Sequence, residues 1–171
     1  MYLLHWPGAV PLDETLEAFD ALLRAGKIRY WGVSNFDTPD MEALLALPGG
    51  NAVATNQVLY NLTRRGIEFD LVPWCQQRKL PIMAYSPLEQ GRLLGDPGLL
   101  RLAAQYSATP AQIALGWVLR KDLMIALPKA GTPSHVEQLR SALDIPLAPQ
   151  DLAALDRAFP PPKRKAPLEV I

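Results

Sequence analysis

Tyr30-Trp31-Gly32-Val33, then Thr38-Pro39, then Asp40 to Leu47: a β-prone apolar run, an N-capping hydroxyl with a proline behind it, and a segment of helical spacing. This strand-then-helix unit decides the fold, because it recurs on both sides. Upstream lie a strand at Tyr2 to His5 and an amphipathic helix over Pro11 to Ala25. That helix carries Leu12, Leu16, Phe19, Leu22 and Leu23 on one face, Glu14 and Glu17 on the other, and Gly26 as a stop. Downstream, Val53 to Gln57 reads as a strand, and Asp70 caps a helix through Arg78 with Leu71, Trp74 and Cys75 on one face. Pro73 falls in its first turn, where it removes no helical hydrogen bond. Pro81 to Tyr85 is the next strand, followed by helices at Pro97 to Tyr106 and, behind Thr109-Pro110, to Arg120. Leu123 to Leu127 is a strand, and Ser134 to Leu143 and Pro149 to Phe159 are helices.

Five strands alternating with helices at roughly 30-residue spacing pair in parallel, which makes the class α/β. Two architectures compete, the closed eight-stranded barrel and the doubly wound open sheet. A G-x-G-x-x-G turn after the first strand would favour the second, and the sequence has none. The tail, Pro160-Pro161-Pro162-Lys163-Arg164-Lys165-Ala166-Pro167, is expected to be extended or mobile rather than packed.

At 171 residues, 49% hydrophobic and 20% charged, the chain is long and apolar enough for one domain, or part of a larger one, with a sizeable core. Lys and Arg number 17, as do Asp and Glu, so no single-sign field points to nucleic acid or to an acidic membrane surface. No apolar run approaches the ~20 residues of a membrane span, and Met1 to His5 is too short and uncharged for a signal peptide. The single cysteine, Cys75, has no internal partner for a disulfide, and a reducing cytoplasm is the expected location.

The chemistry-bearing residues gather at the C-terminal ends of the strands: His5-Trp6-Pro7, Ser34-Asn35-Phe36, Asn56-Gln57, Tyr85-Ser86-Pro87-Leu88 and Pro128-Lys129. One polar residue at one end is ordinary turn chemistry; hydrogen-bonding groups at every end point to one ligand. Gly32-Val33-Ser34 opens like a hydrolase nucleophile elbow, but Phe36 replaces the second glycine and the helix starts too late. His5, His135 and Cys75 sit in unrelated settings, so metal catalysis fails on inventory. Asn61-Leu62-Thr63 is a formal glycosylation sequon that a cytoplasmic chain would never present to the machinery.

Taken in order, five segments closely resemble the aldo-keto reductase family, over Tyr2 to about Phe159. They are Leu3 to Pro7, Gly26 to Phe36, Ala84 to Leu88, Thr109 to Leu115 and Leu127 to Ala130. The resemblance implies a TIM barrel that binds NADPH at its C-terminal face and reduces a small-molecule aldehyde or ketone. By motif match, Tyr85 stacks under the nicotinamide, and Ser34, Asn35 and Gln57 hydrogen-bond its carboxamide. Ser86, Pro87 and Leu88 lie against the pyrophosphate, and Lys129 through Gln138, including Ala130, Gly131 and His135, grips the adenosine 2′-phosphate and adenine. His5 matches the catalytic histidine that orients the carbonyl, and Trp6 lines the substrate pocket.

The chain departs from the family where Ala130, His135 and Leu139 replace a frequent Ser, Arg and Asn, so NADPH is expected with NADH as the alternative. The family's Asp, proton-donating Tyr and Lys belong to strands before the histidine strand, and His5 is the fifth residue. The expectation is therefore an incomplete TIM barrel, about five C-terminal βα units with a C-terminal helix. It comprises an oxidoreductase domain over 1–159 and an extended tail over 160–171. Alone, such a chain is expected to have negligible activity, and its open barrel edges imply that it aggregates, pairs with another copy or a missing partner, or is part of a longer polypeptide. The alternative reading is a non-catalytic NADP(H)-binding module.

Overall fold

Side-chain acceptors and prolines fix where the helices start, and the computed structural model, which describes residues 1–171, shows how each does so. The chain runs β1 (Tyr2–Leu4), α1 (Leu12–Arg24), β2 (Trp31–Ser34), α2 (Thr38–Ala46), β3 (Asn56–Leu59), α3 (Leu71–Gln77) and β4 (Ile82–Tyr85). It continues through α4 (Pro97–Gln105), α5 (Pro110–Leu119), β5 (Met124–Leu127), α6 (Pro133–Arg140) and α7 (Pro149–Ala158). The cap of α2 is Asp37, not Thr38: the Asp37 carboxylate accepts from the Thr38 N–H, and the Asp40 carboxylate accepts from the Asp37 N–H. Thr109 and Gln112 form the same reciprocal box on α5. Thr132 caps α6, which ends at Arg140 and gives way to a 3-10 turn, Ser141–Asp144, instead of continuing to Leu143. After α1, Gly26 turns the chain with φ of 67°.

β3 begins three residues later than the β-branched run suggests. A 3-10 turn, Gly50–Ala52, delivers the chain to the sheet, and its first ladder bond runs from the Ala54 N–H to the Trp31 carbonyl. The five strands form one parallel sheet in the order β1-β2-β3-β4-β5, each beside its sequence neighbour. A doubly wound sheet reverses its order at a switch point; this one never does.

The register separates the two faces. Leu3 pairs with Gly32, Ser34 with Gln57, Gln57 with Met83, and Tyr85 with Leu127, so these residues share one face. The other face holds Trp31, Val33, Val58, Ile82, Ala84 and Met124, all buried under helices. Phe19 of α1 stacks on Trp31 with ring centroids 5.1 Å apart, and α5 contributes Ile113, Ala114, Trp117 and Val118 to the same core. On the first face Leu3, Gln57, Met83, Tyr85 and Leu127 are only half-buried and Ile125 is exposed. Helices on one face only, with strands in sequential order, is barrel architecture, and the uncovered face corresponds to the barrel interior.

Past α7 the chain has no regular secondary structure and stays mostly exposed, but it is fastened to the body at two points. Lys165 Nζ lies 2.5 Å from Asp37 Oδ1 and 2.8 Å from Asp70 Oδ2, so one ammonium bridges the N-caps of α2 and α3. Glu169 pairs with Arg64 at 2.8 Å, and Leu168 packs against the core. A basic run usually means a solvated terminus, but here the acceptors came from two helix caps far away in sequence. No helix is long and apolar enough to cross a membrane.

Candidate active site

Ser34 ends β2, and the next residue takes a backbone conformation that aims its side chain along the strand tips. Asn35 has φ of 59°, the left-handed region that asparagine tolerates better than other residues with a Cβ. Its amide Nδ2 donates to the His5 carbonyl at 3.1 Å and to Ser34 Oγ at 3.2 Å, and its Oδ1 accepts from the Tyr85 hydroxyl at 3.2 Å. The Ser34 hydroxyl donates to the Gln57 carbonyl at 2.7 Å. Four strand ends, β1 to β4, are thus joined through one buried asparagine. The Gln57 side chain stays half-buried on the uncovered face and makes no hydrogen bond to the protein, leaving a donor and an acceptor for a planar amide.

Tyr85 is half-buried beside this network, and burial pushes its phenol above the ordinary range. His5 is exposed, and its ring lies 5.5 Å from that of Trp6. Both project past the end of β1 toward solvent.

The loop after β4 has unusual backbone. Ser86, Glu89 and Gln90 have φ of 46°, 49° and 55°, and Gly91 has 87°. Ser86 and Leu88 are half-buried and Pro87 is buried. The loop is pinned from below by Asn61, which is fully buried: its amide donates to the Ser86 carbonyl at 3.0 Å and to Glu89 Oε2 at 2.8 Å. Its Oδ1 accepts from the Thr63 and Arg64 N–H groups and the Thr63 hydroxyl. The formal sequon is therefore a buried turn. Glu89 is 5% exposed; burial pushes its carboxyl up, but hydrogen bonds from Arg64, Asn61 and Arg92 outweigh this and hold it below the usual carboxylate range.

The structure keeps the adenosine-side residues apart from this cluster. Lys129 is exposed after β5 with no acidic partner, Ala130 is half-buried, and Gly131, His135 and Gln138 are exposed, the last two on α6. The sequence did not single out Arg64, Glu89 or Asn61 as members of the site. The one available signal was Asn61 followed by Thr63 and Arg64, the pattern of an Asx turn.

The model of the aldo/keto reductase family matches residues 1–159. A methylglyoxal reductase of Escherichia coli (strain K12) is 49% identical over 177 residues, covering 100% of this chain and 62% of that protein. A glyoxal reductase of Bacillus subtilis (strain 168) is 31% identical over 158 residues, covering 91% of this chain and 55% of the relative. The crystal structure of an aldo/keto reductase from Klebsiella pneumoniae in complex with NADP and acetate superposes with a TM-score of 0.98 at 52% identity. It covers 100% of this chain and 62% of that one. The chain thus spans about three fifths of the length of these relatives.

Proposed function

The chain belongs to the aldo/keto reductase family, and from that premise we propose that it is the nicotinamide-binding part of an oxidoreductase that reduces the carbonyl of an aldehyde or ketone with NADPH. The observation that carries the reading is the Asn35-centred network, which fixes His5, Ser34, Gln57 and Tyr85 relative to one another at the open end of the sheet. The donor set fits the cofactor: an unpaired Gln57 amide for a carboxamide, a flat Tyr85 ring, a loop with left-handed backbone for the pyrophosphate, and an unpaired Lys129 for the 2′-phosphate. NADPH, when bound, supplies the hydride.

Within this chain, Tyr85 supports the ring, and Ser34, Asn35 and Gln57 fix its rotation so that one face meets the substrate. Ser86, Pro87 and Leu88 seat the pyrophosphate. Lys129 with Ala130, Gly131, His135 and Gln138 receives the adenosine end. His5 donates to the carbonyl oxygen and Trp6 walls the pocket. Reduction also needs an acid to protonate the alkoxide. The chain has five tyrosines; Tyr60 and Tyr106 donate to Glu68 and Asp151, Tyr85 to Asn35, and Tyr2 and Tyr30 are exposed away from the site. None stands beside the His5 ring with a lysine, so the 171-residue chain binds NADPH and does not turn over by itself.

The names of the relatives favour a reductase over a non-catalytic nucleotide-binding module, and point to short 2-oxoaldehydes such as methylglyoxal as the substrate class. A cytoplasmic location is supported by one buried, unpaired cysteine, whose thiol burial pushes up to about 12. Self-association is supported at the β5 edge by an apolar groove of about 400 Å³ lined by Leu119, Ile125, Val136, Leu139 and Leu143.

Titration of the purified chain with NADPH and NADH, read by tryptophan fluorescence and accompanied by size-exclusion chromatography, tests the proposal. Saturable quenching that favours NADPH is expected. Absence of quenching by either nucleotide from a monodisperse sample overturns it.

A further inference from the structure

Arg64 touches two segments that are far apart in sequence. Its Nε and Nη2 donate to Glu89 Oε1 at 3.3 and 3.2 Å, and its Nη1 donates to Glu169 Oε1 at 2.8 Å. Glu89 stands in the left-handed loop that follows Ser86-Pro87-Leu88, while Glu169 lies in the tail, two residues before Ile171.

We propose that Arg64 is a positioning residue that locks the loop over Ser86 to Gly91 and the C-terminal segment over Lys165 to Ile171 into one body, so that neither opens for nucleotide exchange without the other. The nucleotide part of this rests on the cofactor reading above.

The loop needs such a hold. Three of its residues, Ser86, Glu89 and Gln90, occupy a backbone region that side chains disfavour, a state that persists only when its surroundings over-determine it. They do so here: the Ser86 carbonyl accepts from the Glu89 N–H at 2.9 Å and from Asn61 Nδ2 at 3.0 Å, and the Gly91 N–H donates to the Leu88 carbonyl at 2.8 Å. The Glu89 carboxylate gathers Asn61, Arg64 and Arg92. Among these partners Arg64 alone continues outward, to the tail. Its guanidinium is planar and multiply donating, so Nε and Nη2 hold Glu89 while Nη1 reaches Glu169. The tail is fastened again upstream by Lys165 on Asp37 and Asp70, so the span between the two fastenings lies along the ends of β2 and β3. Since the whole chain superposes at a TM-score of 0.98 on an NADP-bound relative, this fastened arrangement is compatible with bound nucleotide.

Hydrogen–deuterium exchange of the full 171-residue chain tests the coupling, using R64M, E169Q and, as a remote control, R24Q. Glu169 is partly exposed, so E169Q folds with an unchanged denaturation midpoint. It should raise exchange in the tail at least tenfold and at the Glu89 and Gly91 amides at least threefold, although it contacts neither. R64M should do both and speed NADPH release about tenfold with association unchanged. The double variant should add little to R64M, and R24Q should change nothing. Loop exchange that stays at the unaltered level in E169Q and R64M, with NADPH still bound, overturns the coupling alone. Failure of the unaltered chain to bind NADPH overturns the cofactor reading and the nucleotide-positioning role with it.

Discussion

The Tyr85 hydroxyl donates to Asn35 Oδ1 at 3.2 Å across 50 residues of sequence, and through Asn35 Nδ2 the same contact extends to the His5 backbone. The residue just past the first strand, the one after the second and the one at the end of the fourth are therefore positioned as a unit, and disturbing Asn35 should be felt at all three. N35G keeps the left-handed backbone and deletes the side-chain bonds. It should weaken NADPH binding at least tenfold while lowering stability by about 1–2 kcal/mol. N35A adds the strain of a Cβ at φ of 59° and should lose roughly 1 kcal/mol more. Urea denaturation beside nucleotide titration separates the two effects; equal stability of N35G and N35A would mean that the backbone at 35 carries no strain.

At Tyr85 the ring and the hydroxyl can be told apart. If the ring supports the nicotinamide, Y85F should bind NADPH within threefold of the unaltered chain, because only the bond to Asn35 is lost. Y85A should bind at least tenfold more weakly. Fluorescence titration of both variants decides it, and a Y85F as weak as Y85A would place the function in the hydroxyl.

The strands, the helices and the strand-end residues were legible because their signals are local: Gly26 as a stop, Asp70 as a cap, Thr109-Pro110 as a helix start. The contents of the left-handed loop were not. Glu89 looks in sequence like an exposed acid after Leu88; its burial depends on Arg64 and Asn61, which arrive from the end of another strand. Lys165 likewise sits in a proline-rich basic run, and only the meeting of two helix caps gives it partners. Asp37 displaced Thr38 as a cap because its carboxylate and that of Asp40 satisfy each other's N–H groups in a box, which a rule for hydroxyl-proline pairs overlooks.

Stability should depend on pH through Glu68 and Glu89. Burial raises the Glu68 carboxyl, but hydrogen bonds from Arg65 and Tyr60 outweigh it, so both acids sit below their unfolded values. The unfolded chain then takes up protons first, and the contribution of these carboxylates, complete above about pH 4.3, is lost as pH falls through their folded values. The urea midpoint should drop steeply below that pH. E68Q, which leaves Arg65 and Arg120 beside Trp117 without their shared anion, should flatten this limb and lose about 3 kcal/mol at neutral pH. Lys165 acts in the opposite sense. Burial lowers its pKa but Asp37 and Asp70 raise it further, so its contribution is full below about pH 10.4 and fades above.

Gly32 is present for space. A Cβ there would stand 2.7 Å from the Thr55 carbonyl oxygen and 2.8 Å from a Leu3 methyl, at the crossing of β1, β2 and β3. The backbone oxygen cannot move aside without breaking its bond from the Val33 N–H. G32A should therefore lose about 2–3 kcal/mol, in the range of overpacked cores. G8A, where nothing lies within 4 Å, should be neutral. Thermal melts of the two variants check the contrast.

The adenosine end offers a gain-of-affinity test. His135 lies exposed in the first turn of α6, its backbone N–H bonded to the capping Thr132, four residues past Gly131. If this stretch receives the 2′-phosphate, H135R supplies a forked guanidinium where an imidazole now stands. NADPH should bind about tenfold more tightly, roughly 1.4 kcal/mol, while NADH, which lacks that phosphate, should bind as before. The gain should shrink as salt rises, because both the phosphate and the new cation are exposed. Equal changes for the two nucleotides would mean that α6 faces some other part of the cofactor, and the assignment of Lys129 through Gln138 to the 2′-phosphate would fall with it.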